Sequence, residues 1–195
     1  MDIFEAVYQR RSIRNYKDMP VEENILEEII EAGTWAPSGV NLQPWFFAVI
    51  RSKEQLTKMK EIMECVSKRI EPDLKKRFEK HPSVVDDTTR FIKSMGGAPV
   101  CILAFRMKPD YADKADMVNL SIAAAMENIL LAATGKGLGT CWLTAPVEAE
   151  VGQELKNIFA TGKGELVGMI TMGYPADSVK TLKPPLRKEG RYEFF

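Results

Sequence analysis

The chain has 195 residues and no formal net charge, with 27 basic against 27 acidic side chains. An apolar content of 45% supplies the core of one ordinary domain. The charge balance excludes a global argument for nucleic acid or an anionic membrane, since both call for a basic excess. The three cysteines, Cys65, Cys101 and Cys141, are odd in number and lack C-x-x-C spacing. That argues against a disulfide framework and for a reducing, cytoplasmic setting.

Residues 1–10 carry Asp2 and Glu5 where a leader would be basic and then apolar, so no signal peptide is expected. Asp2 and Glu5 instead have capping-box spacing for a first helix over about Ile3 to Arg10. That helix delivers Arg10-Arg11-Ser12-Ile13-Arg14. Three guanidiniums around a hydroxyl form a fork for phosphate, although cations at a helix C-terminus are also favourable on dipole grounds alone.

Pro20 suits the first turn of a second helix, with Ile25, Leu26, Ile29 and Ile30 at helical spacing and Gly33 near its end. Next comes Ala36-Pro37-Ser38-Gly39-Val40-Asn41-Leu42-Gln43-Pro44-Trp45, polar and turn-rich between two prolines. Phe46 to Ile50 is β-branched and aromatic enough for a buried strand.

Ser52 suits the cap of a helix carrying Leu56, Met59, Ile62 and Met63. From Lys68 to Lys80 charge dominates, with Ile70, Leu74 and Phe78 to bury. Residues 53–97 therefore read as a helical insertion on the surface of a single domain spanning 1–195, either a static decoration or a lid. His81, the only histidine, has no partner at ligand spacing, so no metal site is expected.

Val100 to Phe105 is a second strand, and Asp116 to Thr134 the most apolar helix, needing enclosure by sheet, helices or a partner subunit. Asn119, Glu127 and Asn128 interrupt it, against a membrane span. Gly135-Lys136-Gly137-Leu138-Gly139 follows a helix, so its glycines cap rather than cradle phosphate. Thr140 to Leu143 is short and apolar, Val151, Leu155 and Ile158 mark an amphipathic helix, and Leu166 to Met172 is a further strand. The tail ends in Tyr192, Phe194 and Phe195, aromatics that require a surface to pack on.

Several of these landmarks agree in order with one family. Arg10-Arg11-Ser12-Ile13-Arg14 resembles the R-R-S-x-R that opens the FMN-dependent nitroreductases, and Ala36 to Trp45 resembles their A-P-S-[SG]-x-N-x-Q-P-W segment. Ala124 to Ala133 running into Gly137-Leu138-Gly139-Thr140-Cys141-Trp142 is similar to the central helix and the strand after it. Gly168 to Pro175 is similar to the closing strand.

The resemblance implies an α+β fold, a mixed, mostly antiparallel sheet flanked by helices, in an intertwined homodimer with FMN at the interface. It implies NAD(P)H as hydride donor and a small electron-poor acceptor, with no nucleic acid or membrane partner. Carried over by position, Arg10, Arg11, Ser12 and Arg14 meet the FMN phosphate and ribityl chain. Pro37, Ser38, Gly39 and Asn41 reach the flavin from the opposite subunit, and Gln43 braces that loop or meets the cofactor. Leu143, Thr144 and Ala145 lie beside flavin N5 and O4. Lys183 or Arg187 of the tail completes the phosphate site. No side chain stands out as a dedicated acid, base or nucleophile, which leaves the chemistry to the flavin. Reductive dehalogenation or flavin fragmentation is the alternative reaction on the same cofactor, and a flavin-free phosphate or nucleic-acid binder the remote one.

Overall fold

The computed structural model describes residues 1–107, 114–179 and 186–195. Its elements run α1 (Ile3–Gln9), α2 (Glu23–Thr34), β1 (Trp45–Ile50), α3 (Lys53–Arg77), α4 (Pro82–Ser94), β2 (Val100–Arg106), α5 (Ala115–Gly135), β3 (Gly139–Leu143), α6 (Ala145–Glu148), α7 (Gly152–Phe159) and β4 (Leu166–Gly173). The strands form one sheet in the order β1-β2-β4-β3, and all three pairings are antiparallel. Among the described residues a parallel element enters only as an isolated bridge between Ser12 and Thr140.

β2 is buried at all of its positions, which is why it reads as an unbroken apolar run. Its side chains alternate between two core layers. Cys101, Leu103 and Phe105 join Met63, Val66 and Phe91 from α3 and α4, whereas Ile102 and Ala104 join Ile29 of α2 and Ile122, Met126 and Ile129 of α5. The result is a helix–sheet–helix sandwich of the α+β class. α2 and α5 approach closely at Gly33, where an added Cβ would stand 2.6 Å from Ile129 Cγ1.

The capping signals hold. Asp2 and Glu5 exchange bonds at the start of α1, the Ser52 hydroxyl accepts from Gln55 N, and Gly137 turns the chain after α5 at φ 78°. α5, apolar enough to span a membrane by composition, is here the central core helix, with Leu120 left 72% exposed on one side.

Several boundaries differ from expectation. α2 starts at Glu23, three residues after Pro20. α4 starts with Pro82 in its first turn, ahead of the start expected at about Val84. The single amphipathic helix expected near Val151 is two short ones, parted where Glu150 takes φ 56°. The largest correction concerns α3, one helix of 25 residues that passes through Pro72. Its charged half continues because Glu64–Lys68 and Glu71–Lys75 pair along the outer face while Val66 and Ile70 point inward. The segment 53–97 is helical as expected, but its inner face builds one of the two core layers.

Candidate functional site

The segment after α1 lies against the start of β3. Ile13 N donates to Thr140 O at 2.8 Å, and Ser12 forms the parallel bridge. This approach requires Gly139, since a Cβ there would come within 2.7 Å of Ile13 Cγ1. Tyr16 N then donates to Gly96 O as the chain crosses the end of the sheet.

Ser12 and Arg14 lie at that edge. Burial pushes the Cys141 thiol above its ordinary range, opposed first by the charge of Arg14, with Ser12 close to the sulfur and the charge of Arg10 felt more weakly. Arg10 Nε also stands 3.5 Å from Glu127 Oε1 of α5, and the Arg14 guanidinium lies 5.9 Å from the Phe91 ring centroid. Arg11 is turned elsewhere, with Nη1 donating at 2.7 Å to both Tyr8 O and Arg10 O. It spends its charge on the end of α1, the role dipole grounds alone assign to it.

At the other end of β3, about 13 Å along the strand, Leu143, Thr144 and Ala145 form the turn into α6. Leu143 and Ala145 are buried and Thr144 is exposed. The Thr144 carbonyl accepts from Val147 N and Glu148 N, and its hydroxyl donates to Glu148 Oε1 at 2.5 Å.

The loop Pro37–Gln43 stands on the N-terminal part of α5. Gly39 N donates to Ser121 Oγ at 3.4 Å, and an added Cβ on Gly39 would meet Met117 Sδ at 2.9 Å. Gln43 N donates to Ser38 Oγ and Gln43 Nε2 to Asn41 Oδ1, so Gln43 braces the loop. Val40, Asn41 and Gln43 all take positive φ, at 45°, 57° and 46°. For a β-branched Val40 that is strain, of the kind that gathers at ligand sites. Among the described residues this loop makes no hydrogen bond to the arginine segment or to the turn after β3. Arg187 lies in the exposed tail, and Lys183 falls outside the described residues.

The Arg14 guanidinium and the Ser12 hydroxyl at one strand, with the Arg10 charge nearby, are of the chemistry that takes a phosphate monoester. Thr140 Oγ1, 1% exposed and without a hydrogen-bond partner among the described residues, is an unspent polar atom on the same strand. Among the described residues no group of His, Cys, Asp or Glu could hold a metal. Sequence reasoning missed Thr140, Cys141 and Glu148 as site residues. Only Glu148 carried a signal, its spacing of one helical turn from Thr144.

Known proteins resemble this chain in sequence and in fold. The family model described as "Nitroreductase family" matches residues 7–174. A "Putative NADH dehydrogenase/NAD(P)H nitroreductase" of Methanothermobacter thermautotrophicus is 31% identical over 190 residues, covering 93% of this chain and 81% of that protein. An iodotyrosine deiodinase of Hydra vulgaris is 28% identical, covering 96% of this chain and 70% of that protein. A crystal structure described as a "putative nitroreductase in complex with fmn", from Desulfovibrio desulfuricans, superposes with TM-score 0.69 at 28% identity, covering 100% of this chain and 98% of that one. The fold, the order of the motifs and the extent of the match together place this chain in the nitroreductase family.

Proposed function

We propose that this chain is a cytoplasmic, FMN-dependent NAD(P)H oxidoreductase that works as a homodimer. In this reading it passes electrons from the nicotinamide to a small electron-poor acceptor, a nitroaromatic or a quinone, in ping-pong order. The observation that carries the reading is the packing of the Arg10–Arg14 segment along the start of β3, where Ser12 bridges Thr140, with the exposed Thr144 turn at the strand's other end. The FMN bound to a 28%-identical neighbour supports it. When bound, FMN accepts a hydride from the nicotinamide and returns electrons to the second substrate.

The chain's own residues position and polarise. Arg10, Ser12 and Arg14 hold the phosphate with charge-assisted bonds. The backbone of Leu143 to Ala145 and the Thr144 hydroxyl line the reactive edge of the ring. Ser38, Gly39 and Asn41, on a loop strained into one shape, meet the ring of the second subunit's cofactor. Phe4 and Tyr8 of α1, Leu120 of α5, and Tyr192, Phe194 and Phe195 of the tail are exposed in the single chain, and a second copy would cover them. Arg187 or Lys183 of the tail then completes the phosphate site.

The purified protein should be yellow, elute as a dimer and release FMN on denaturation. NAD(P)H should bleach it without oxygen, and a nitroaromatic or quinone should restore the colour. Colourless protein that takes up no added FMN would overturn the reading. The deiodinase relative favours reductive dehalogenation as a second reading. Faster reoxidation of the reduced protein by a halogenated phenol than by any nitroaromatic or quinone would establish it.

A further inference from the structure

The Thr144–Glu148 pair is one hydrogen bond that neither the fold nor the proposed cofactor contacts explain. The two residues sit one helical turn apart, with Glu148 N donating to Thr144 O at 3.0 Å, so α6 itself holds their side chains together. Glu148 also forms part of the wall of a cleft of about 260 Å³ with Arg69, Asp73 and Arg77. Arg69 Nη1 donates to Ala149 O at 3.0 Å and pins the backbone beside it.

We propose that Glu148 is a positioning residue that sets the direction of the Thr144 hydroxyl and thereby biases the flavin towards its reduced form. The inference rests on the reading that the turn after β3 meets flavin N5. A hydroxyl has one proton and two lone pairs, and an ionised carboxylate only accepts. With its proton committed to Glu148, Thr144 presents lone pairs to whatever lies beyond it. Oxidised flavin has a bare acceptor at N5. Hydride from NAD(P)H, which leaves as NAD(P)⁺, turns that position into an N5–H donor. The Thr144 oxygen is thus complementary to the reduced ring and opposes the oxidised one. Without an acceptor at position 148 the hydroxyl turns and donates to bare N5, which favours the oxidised ring.

The test is the reduction potential of bound FMN, measured by anaerobic spectroelectrochemistry in wild type, Thr144→Val, Glu148→Leu, Glu148→Gln and the Thr144→Val/Glu148→Leu double variant. Glu148→Leu should lower the preference for reduced over oxidised FMN at least tenfold, about 30 mV for two electrons. Loss of a negative charge alone would raise the potential, so the sign separates the two causes. Glu148→Gln keeps an acceptor and should not lower the potential. Thr144→Val should lower it, and in the double variant Glu148→Leu should lower it no further, leaving only the rise that loss of its charge brings. An unchanged or raised potential in Glu148→Leu, or additive shifts in the double variant, would overturn the proposal. Should Glu148→Leu not fold, an unchanged potential in Thr144→Val does the same. Wild-type protein that binds no FMN overturns the cofactor reading and this inference together, before any variant is made.

Discussion

At the residue scale, the arginines of one motif face different neighbours. Arg14 lies near Cys141 of β3 and the Phe91 ring, Arg10 pairs with Glu127 of α5, and Arg11 bonds the last carbonyls of α1. Arg14→Ala should weaken FMN binding by roughly ten- to a hundredfold, the worth of a charge-assisted bond of about 1.5–3 kcal/mol. Arg11→Ala should change FMN affinity by less than about threefold and lower stability by about 0.5–1 kcal/mol, the scale of a cation at a helix end. Fluorescence quenching of free FMN measures the first and urea unfolding the second. Equal losses of affinity in both variants would mean that the arginines form one site.

At the element scale, α3 decides how the region between β1 and β2 behaves. Met59, Ile62, Met63 and Val66 are buried against the sheet and α4, so the helix is part of the core through much of its length. Met63→Ala should cost about 2–5 kcal/mol in chemical denaturation. Lys68→Ala, which breaks an exposed pair with Glu64, should stay within about 0.5 kcal/mol. Amides of the buried stretch should exchange with the sheet rather than ahead of it. Early exchange through Met59 to Val66 would restore the lid. The helix was legible from Ser52 to Met63, where the apolar spacing is plain. Beyond Lys68 a single inward stripe hides among charges, and only the packing partner shows that it suffices.

At the scale of the whole molecule, the core layer beside α3 encloses ionisable groups that are neutral at ordinary pH. Burial pushes the Cys101 thiol up to about 12 from an ordinary 9.0, and burial likewise raises the Tyr16 hydroxyl, which bonds Thr171 and the Ile13 carbonyl. Both groups keep their protons in the native state after the unfolded chain has lost its own. Their contribution is therefore complete below pH 9 and falls as pH rises through the range from 9 towards 12, by up to about 4 kcal/mol for Cys101 alone. Stability measured from pH 7 to 11 should hold steady and then decline. Cys101→Ala should flatten part of that decline, and a parallel decline in the variant would assign it to other groups.

Local chemistry by itself marked most of the secondary elements and a phosphate-ready segment, and the ordered motifs supplied the resemblance that implies FMN. Asp2, Ser52 and the Gly135–Gly139 run act within a few residues of themselves, and the R-R-S-x-R segment has charge and hydroxyl enough to be read without a fold. The unbroken apolar strands likewise declared a core. Tertiary structure alone decided which of those residues meet. The bridge from Ser12 to Thr140 spans most of the chain, and it lays the arginine segment along β3. Contacts between distant residues follow from burial shared across the sheet, and no local pattern encodes them.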